Sequence, residues 1–181
     1  MKVNIKSSDK IKIINDGDIF RIMTQVLKRD NKIDRGKEHF WTVGLTIENI
    51  LLFVELISIG SSEATIVSPF EVFNFALHKG AASVILVHNH PSGNLTPTEQ
   101  DKGLTDRLIV TGVSVNCPVL DHLIITEKEY VSFEKVGLMA ELKKKSNIMP
   151  AFLEKIEIAK KMKEGGSTNE YISQCTGLSV S

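Results

Sequence analysis

The strongest constraint on this chain is a short apolar segment with an abrupt polar end. Ala82 to Val87 is an apolar run rich in β-branched residues, and it leads straight into His88-Asn89-His90-Pro91-Ser92-Gly93. A run of that length ending in turn residues is predicted to be a buried strand. It delivers two histidines, spaced i and i+2, to the point where the strand stops.

The surroundings read as alternating helices and strands. Asp16 to Arg29 carries Ile19, Phe20, Met23, Val26 and Leu27 at helical spacing. Phe40 to Thr46 and Ile50 to Ile59 are strand-like, and the polar residues around Glu48-Asn49 predict a hairpin between them. Asp30 to Lys37 is expected to be a loop, and residues 2 to 14 an edge strand or docking arm. Ser68-Pro69-Phe70-Glu71 opens a helix expected to stop at Gly80, with Ser68 as cap and Glu71 closing a capping box. Thr96-Pro97-Thr98-Glu99 predicts a second capping box, on a helix ending at Gly112. Val113 to Val119 and Leu123 to Thr126 are expected as two further strands, with Tyr130 to Val136 closing the region. Residues 1–137 are therefore expected to form an α/β domain. From Leu138 the character changes, and residues 138–181 are expected to be a helical appendage.

The chemistry lies in His88, His90 and Asp101. In an extended segment, residues i and i+2 point to the same side, so both imidazoles can reach one point beyond the strand. Asp101 is expected in the second turn of the following helix, where its carboxylate can meet them. Two imidazoles and one carboxylate with an open fourth position make a catalytic zinc set, not a closed structural one. Thr98 precedes Asp101 by three residues, on the same helical face and near the helix N-terminus. Its hydroxyl is placed to stabilise a developing oxyanion. A proton-transferring glutamate would complete the set, and the residues alone leave Glu38, Glu48, Glu55 and Glu63 open. Glu55 interrupts an apolar strand and could itself be a buried functional carboxylate.

These motifs resemble the RadC-like branch of the JAB/MPN superfamily, the JAMM metalloprotease fold. The family pattern is a distant Glu, then His-x-His, then Ser-x-x-Asp. His88 to Gly93 match the branch's hallmark loop, and Asp101 falls at the family position. Lys37-Glu38-His39-Phe40-Trp41-Thr42-Val43-Gly44-Leu45 is similar to the segment carrying the family's glutamate, which makes Glu38 the candidate. Gly60, the helix from Pro69 and Leu120-Asp121-His122-Leu123-Ile124-Ile125 also look like this branch. The resemblance covers about residues 8 to 137. It implies a mixed β-sheet flanked by helices, of cytidine-deaminase-like architecture, with one Zn²⁺ and hydrolysis of a peptide or isopeptide bond. In that scheme Glu38 moves the proton of a zinc-activated water and Thr98 donates to the oxyanion. The chain departs from the family by carrying Thr98 where the pattern has Ser. The hydroxyl survives, but the added methyl restricts its rotamer, which bears on rate more than on metal binding.

Other signals are weaker. Asp121-His122 reads as a buried His held by a carboxylate, or as a polar pair at a strand start. His39 should point away from Glu38, and His78 suits a helix C-terminus. An HNH nuclease spreads its motif over a longer segment. A zinc nucleobase deaminase needs His-x-Glu and Pro-Cys-x-x-Cys, whereas Cys117-Pro118 is reversed and lacks the second Cys. Cys117 and Cys175 are expected to be two reduced thiols in a cytoplasmic protein. The N-terminus has no apolar segment of the secretory kind. The longest apolar run, Ile50 to Val54, is five residues, which excludes a membrane-spanning helix.

Charge separates two functional classes. The 22 Lys plus Arg balance 22 Asp plus Glu, without the basic excess of a dedicated nucleic-acid binder. Residues 138–181 hold seven Lys and five Glu, so they carry +2 and residues 1–137 carry −2. The tail resembles the opening of a helix-turn-helix of bacterial recombination and transposition proteins, through Ile158-Ala159, Gly165-Gly166-Ser167, Asn169 to Ile172 and Thr176 to Ser179. A recognition helix would begin near Ser179, so a helical docking tail is the expectation. The leading function is a zinc-dependent peptidase or isopeptidase acting on a peptide or protein substrate. The alternative is a non-catalytic accessory protein for DNA repair or recombination, binding DNA or a repair partner through the same scaffold. A metal-dependent nuclease ranks last.

Overall fold

The computed structural model describes residues 11–29, 36–60, 67–145, 158–159 and 161–176. Helix α1 (Asp16–Arg29) is followed by strands β1 (Glu38–Leu45) and β2 (Leu51–Gly60), then α2 (Pro69–His78) and β3 (Ser83–Asn89). Next come α3 (Glu99–Ser114), β4 (Val119–Ile125), β5 (Tyr130–Ser132), α4 (Leu138–Lys145) and α5 (Asn169–Thr176). The strands form one sheet in the order β2-β1-β3-β4-β5. Only the β3–β4 pair is parallel, with α3 as its crossover, so the sheet is mixed.

Helices cover both faces. On one, Ile19, Met23, Val26 and Leu27 of α1 pack on Trp41, Val43, Ile85, Val87, Leu123 and Ile125. On the other, α2, α3 and α4 pack on Phe40, Val84, Leu86, Val119 and Ile124. The period-2 alternation of β1 and β3 thus serves two cores at once, and β3 has no exposed position.

Strand β4 breaks this alternation once. Val84 pairs with Val119 but Ile85 pairs with Asp121, so Leu120 is left without a partner on β3. Val119 and Ile124, five residues apart, consequently reach the same core.

Several boundaries differ from the sequence expectations. Ser68 occupies the N-cap of α2 but makes no side-chain cap bond; its carbonyl accepts from Glu71 N instead, and the expected capping box is not formed. Thr98 and not Thr96 caps helix α3, with the box closed by Asp101. Asp101 therefore lies in the first turn, not the second. Gly112 does not end α3. It is a close-packing point where a Cβ would lie 2.7 Å from Cys117 O and 3.1 Å from Phe73 Cζ, and the helix runs on to Ser114 before Asn116 turns the chain at φ 54°. Val113 is therefore helical, and the two strands expected between 113 and 126 are the single strand β4.

Residues 11–13 lie beside the start of β2 through Ile13 N to Asn49 O and Leu51 N to Ile11 O, as an edge arm would; residues 2–10 lie outside the described residues. So do 30–35 of the expected loop, Glu63, and the tail's Phe152 to Ile156 and 177–181. Composition changes at Leu138, but packing does not: Leu138, Met139 and Leu142 of α4 join the core beside α3. Among the described residues no helix is long and apolar enough to cross a membrane.

Candidate metal centre

Strand β3 places His88 on the face shared with α3, because Val84 and Leu86 already point there. His88 is 1% exposed. His90 follows just past the strand end, tied by its N–H to Ile125 O at the end of β4. A turn from His90 O to Gly93 N, with Gly93 at φ 82°, then reverses the chain. This brings Asn94 O onto His90 Nδ1. A carbonyl only accepts, so His90 Nδ1 donates and its Nε2 keeps a lone pair directed at the site.

Asp101 meets the pair from the first turn of α3. Thr98 N and Oγ1 both donate to Asp101 Oδ2, at 2.7 and 2.6 Å, and Asp101 N donates to Thr98 Oγ1 at 3.1 Å. This leaves Oδ1 facing His88. Burial would push the Asp101 carboxyl up; the contact with His88, then the Thr98 bonds, outweigh it and hold the group well below the usual carboxylate range.

His88 Nε2 lies 2.9 Å from His90 Nε2 and 3.1 Å from Asp101 Oδ1, and His90 Nε2 lies 3.7 Å from Asp101 Oδ2. A tetrahedral zinc with bonds near 2.0–2.1 Å holds its ligand atoms about 3.3 Å apart. The three separations bracket that value, with one Asp101 oxygen nearer each histidine. His88, His90 and Asp101 are also the group whose donor atoms all fall within 4.8 Å of one another among the described residues. Three protein donors of this chemistry could hold a metal ion.

The remaining candidates sit at different places. Glu38 is the first residue of β1, half-buried, on the face of Phe40. Phe40 pairs with His88, so continuing that register sets Glu38 level with His90. Asn89 grips the backbone on both sides of it: His39 N donates to Asn89 Oδ1 at 2.8 Å, and Asn89 Nδ2 donates to Lys37 O at 3.0 Å. Glu48 lies in the hairpin at the far end of β1, and Glu55 pairs with Thr42 in mid-strand. His39 stacks on Trp41, and His78 bonds Asn74 O within α2; neither joins the cluster. Cys117 is buried, which pushes its thiol up to about 11; Cys175 is exposed and free.

Sequence reasoning missed one contact. His122 is fully buried between Phe40 and Phe133. Asp121 bonds only its backbone N–H, and turns its carboxylate to Ser132 Oγ and Glu134 N. The His122 ring instead meets His88 Nδ1 at 2.7 Å and Thr105 Oγ1 at 2.6 Å. Burial, with His88 and His90 nearby, holds its pKa well below the ordinary histidine value against the pull of Asp101. The available signal was Thr105, one helical turn after Asp101.

Comparison with known proteins agrees with the geometry. The sequence model of the RadC-like JAB domain matches residues 13–138. A protein of Chlorobium chlorochromatii is 37% identical over 128 residues, 71% of this chain and 55% of the relative. One of Methanosarcina barkeri is 38% identical over 130 residues, 72% and 55% of the two chains. One of Caldanaerobacter subterraneus is 46% identical over 102 residues, 56% and 44%. Each is named only as a UPF0758 protein, a name that states no activity. The chain spans about half the length of these relatives. With most of its length matched by that family and its His–His–Asp cluster assembled at the end of β3, the chain belongs to the RadC family of JAB-domain proteins.

Proposed function

We propose that the domain is a zinc-dependent hydrolase of peptide or isopeptide bonds. The observation that carries this reading is the convergence of His88 Nε2, His90 Nε2 and the Asp101 carboxylate, with Oδ1 towards His88 and Oδ2 towards His90, at separations of 2.9, 3.1 and 3.7 Å. Bound there, zinc would supply Lewis acidity, lowering the pKa of water towards about 7 and polarising the scissile carbonyl. Glu38, level with His90 and braced by Asn89, takes the proton from water and passes it to the leaving amine. Thr98 caps α3 and aims Asp101; when its hydroxyl turns from Oδ2, it can donate to the oxyanion of the tetrahedral intermediate. The chemistry needs peptide or protein substrates and no membrane.

The test is zinc content followed by hydrolysis. The wild-type chain should hold close to one zinc, and the His88→Ala, His90→Ala double variant should hold almost none. Glu38→Gln should keep the metal and lose cleavage of isopeptide-linked or unstructured protein substrates. Unchanged zinc content in the double variant would sink the reading.

A second reading is a non-catalytic scaffold that binds DNA or a DNA-repair partner. It is favoured by the commitment of the Thr98 hydroxyl to Asp101, and by the helical turn at 161–164 and α5 on either side of a Gly165-Gly166 turn. It requires DNA or partner binding that survives Glu38→Gln. A salt-titrated assay with no DNA affinity even at low salt removes the DNA form.

A further inference from the structure

The hydrogen-bond partners of His88 have a direction that can be read from one end. Thr105 Oγ1 lies 2.6 Å from Asp101 O, a backbone carbonyl one helical turn earlier. A carbonyl cannot donate, so the single hydroxyl proton of Thr105 lies on that bond. Thr105 Oγ1 also lies 2.6 Å from His122 Nδ1. With the hydroxyl proton already used, Nδ1 must carry the proton of that contact. A neutral imidazole protonated at Nδ1 offers a lone pair at Nε2. That atom stands 2.7 Å from His88 Nδ1, so His88 Nδ1 donates to it and is protonated. The lone pair of His88 is thereby left on Nε2, the atom that faces His90 and Asp101.

We propose that His122 and Thr105 are positioning residues that lock His88 in its metal-ligating tautomer. This rests on reading the cluster as a metal site. The series of bonds begins at the backbone of Asp101, passes through Thr105 and His122 to His88, and leaves His88 Nε2 3.1 Å from the Asp101 carboxylate, across the position a metal would take. This series therefore orients His88, while Asp101 is aimed by Thr98 and His90 by Asn94 O. The surroundings suit the task. His122 and Thr105 are both fully buried, and Phe40 and Phe133 pack against the His122 ring, so water does not compete for these bonds. Groups that orient metal-bound histidines in this way typically contribute 10–100-fold to affinity.

Thr105→Val tests the series with almost no change of volume. It removes the hydroxyl and with it the reason for His122 to hold its proton on Nδ1. We expect zinc affinity, measured on the full chain by competition with a chromophoric chelator, to fall about 10-fold or more. Thr105→Ser should restore it to within a few-fold. His122→Gln, which can place an acceptor where Nε2 stands, should bind zinc more tightly than His122→Asn, whose shorter amide reaches Thr105 but not His88. Nitrogen-15 NMR of the imidazoles should show His122 and His88 both protonated at Nδ1.

A merely structural hydroxyl would lower the melting temperature of Thr105→Val and leave zinc affinity unchanged. That result, or an Nε2-protonated His122 in the wild type, would overturn the proposal while leaving the metal site standing. A folded wild-type chain that takes up no zinc would overturn both.

Discussion

The two faces of the central sheet are built by the same strands and do opposite work. On the α1 face, β1 and β3 contribute Trp41, Val43, Ile85 and Val87 to an apolar core, with buried His39 stacked on Trp41 at its end. On the other face the same alternation begins with Val84 and Leu86 and then arrives at His88, whose ring meets that of His122 on β4. Apolar packing thus extends up to one end of β3 and gives way there to a hydrogen-bonded series of polar groups. The difference teaches that a polar site can be sunk in a core if every donor in it has an acceptor. It also needs the opposite face to hold the sheet without help.

The largest effect should come from making the dry face polar. Val87→Asp places an unpaired carboxylate where exposure is 0%; it should cost about 3–5 kcal/mol and abolish cooperative thermal unfolding. The converse change on the polar face should be milder. His88→Leu should cost about 1–3 kcal/mol, mostly from stranding His122 Nε2, while zinc uptake disappears. If His88→Leu unfolds the chain as Val87→Asp does, the two faces do not differ as argued.

A finer test concerns the edge of the site. Asn89→Ala removes both bonds that brace the backbone around Glu38. It should cost about 1–3 kcal/mol, keep zinc, and lower hydrolysis about 10-fold by loosening the base. Equal loss of zinc and activity would place Asn89 with the ligands instead.

The smallest effect lies on the α1 side, where Tyr130 Oη donates to Asp16 Oδ2 at 3.0 Å. Burial pushes the Asp16 carboxyl up, but Tyr130 and Lys135 outweigh it and lower its pKa. A lowered carboxylate pKa adds stability above the unfolded-state value and loses it as pH falls through the folded-state value. Tyr130→Phe should therefore cost less than about 1 kcal/mol at neutral pH, and flatten the acid limb of a stability-against-pH curve.

Local signals were legible where one residue type had one reason to be there. The span of α1 follows from its apolar spacing and charged ends, and β3 from its β-branched run into turn residues. The ligand trio was legible because its geometry is built within fourteen residues by a strand end and a capped helix. What stayed hidden depends on distant partners. Thr96 and Thr98 each have an acid three residues on, and what distinguishes Asp101 is His88, across the turn. Gly112 reads as a helix stop until Cys117 O and Phe73 are seen crowding it. Asn89 acts on residues about 50 positions earlier, and Thr105 on a histidine 17 positions later. Glu38, Glu48 and Glu55 are alike as letters; the family resemblance selects Glu38, and pairing with β3 sets it at the histidine end.

The unpaired Leu120 has a consequence for anyone who would move this site. Counted by simple alternation from Val119, His122 belongs on the α1 face; the one surplus residue in β4 puts it beside His88 instead. The orientation of the buried histidine is therefore set by a miscount in the strand. A graft that copies the visible ligands into a regular sheet would inherit His88, His90 and Asp101 and turn His122, the partner of His88, away. The miscount has to be transplanted with them.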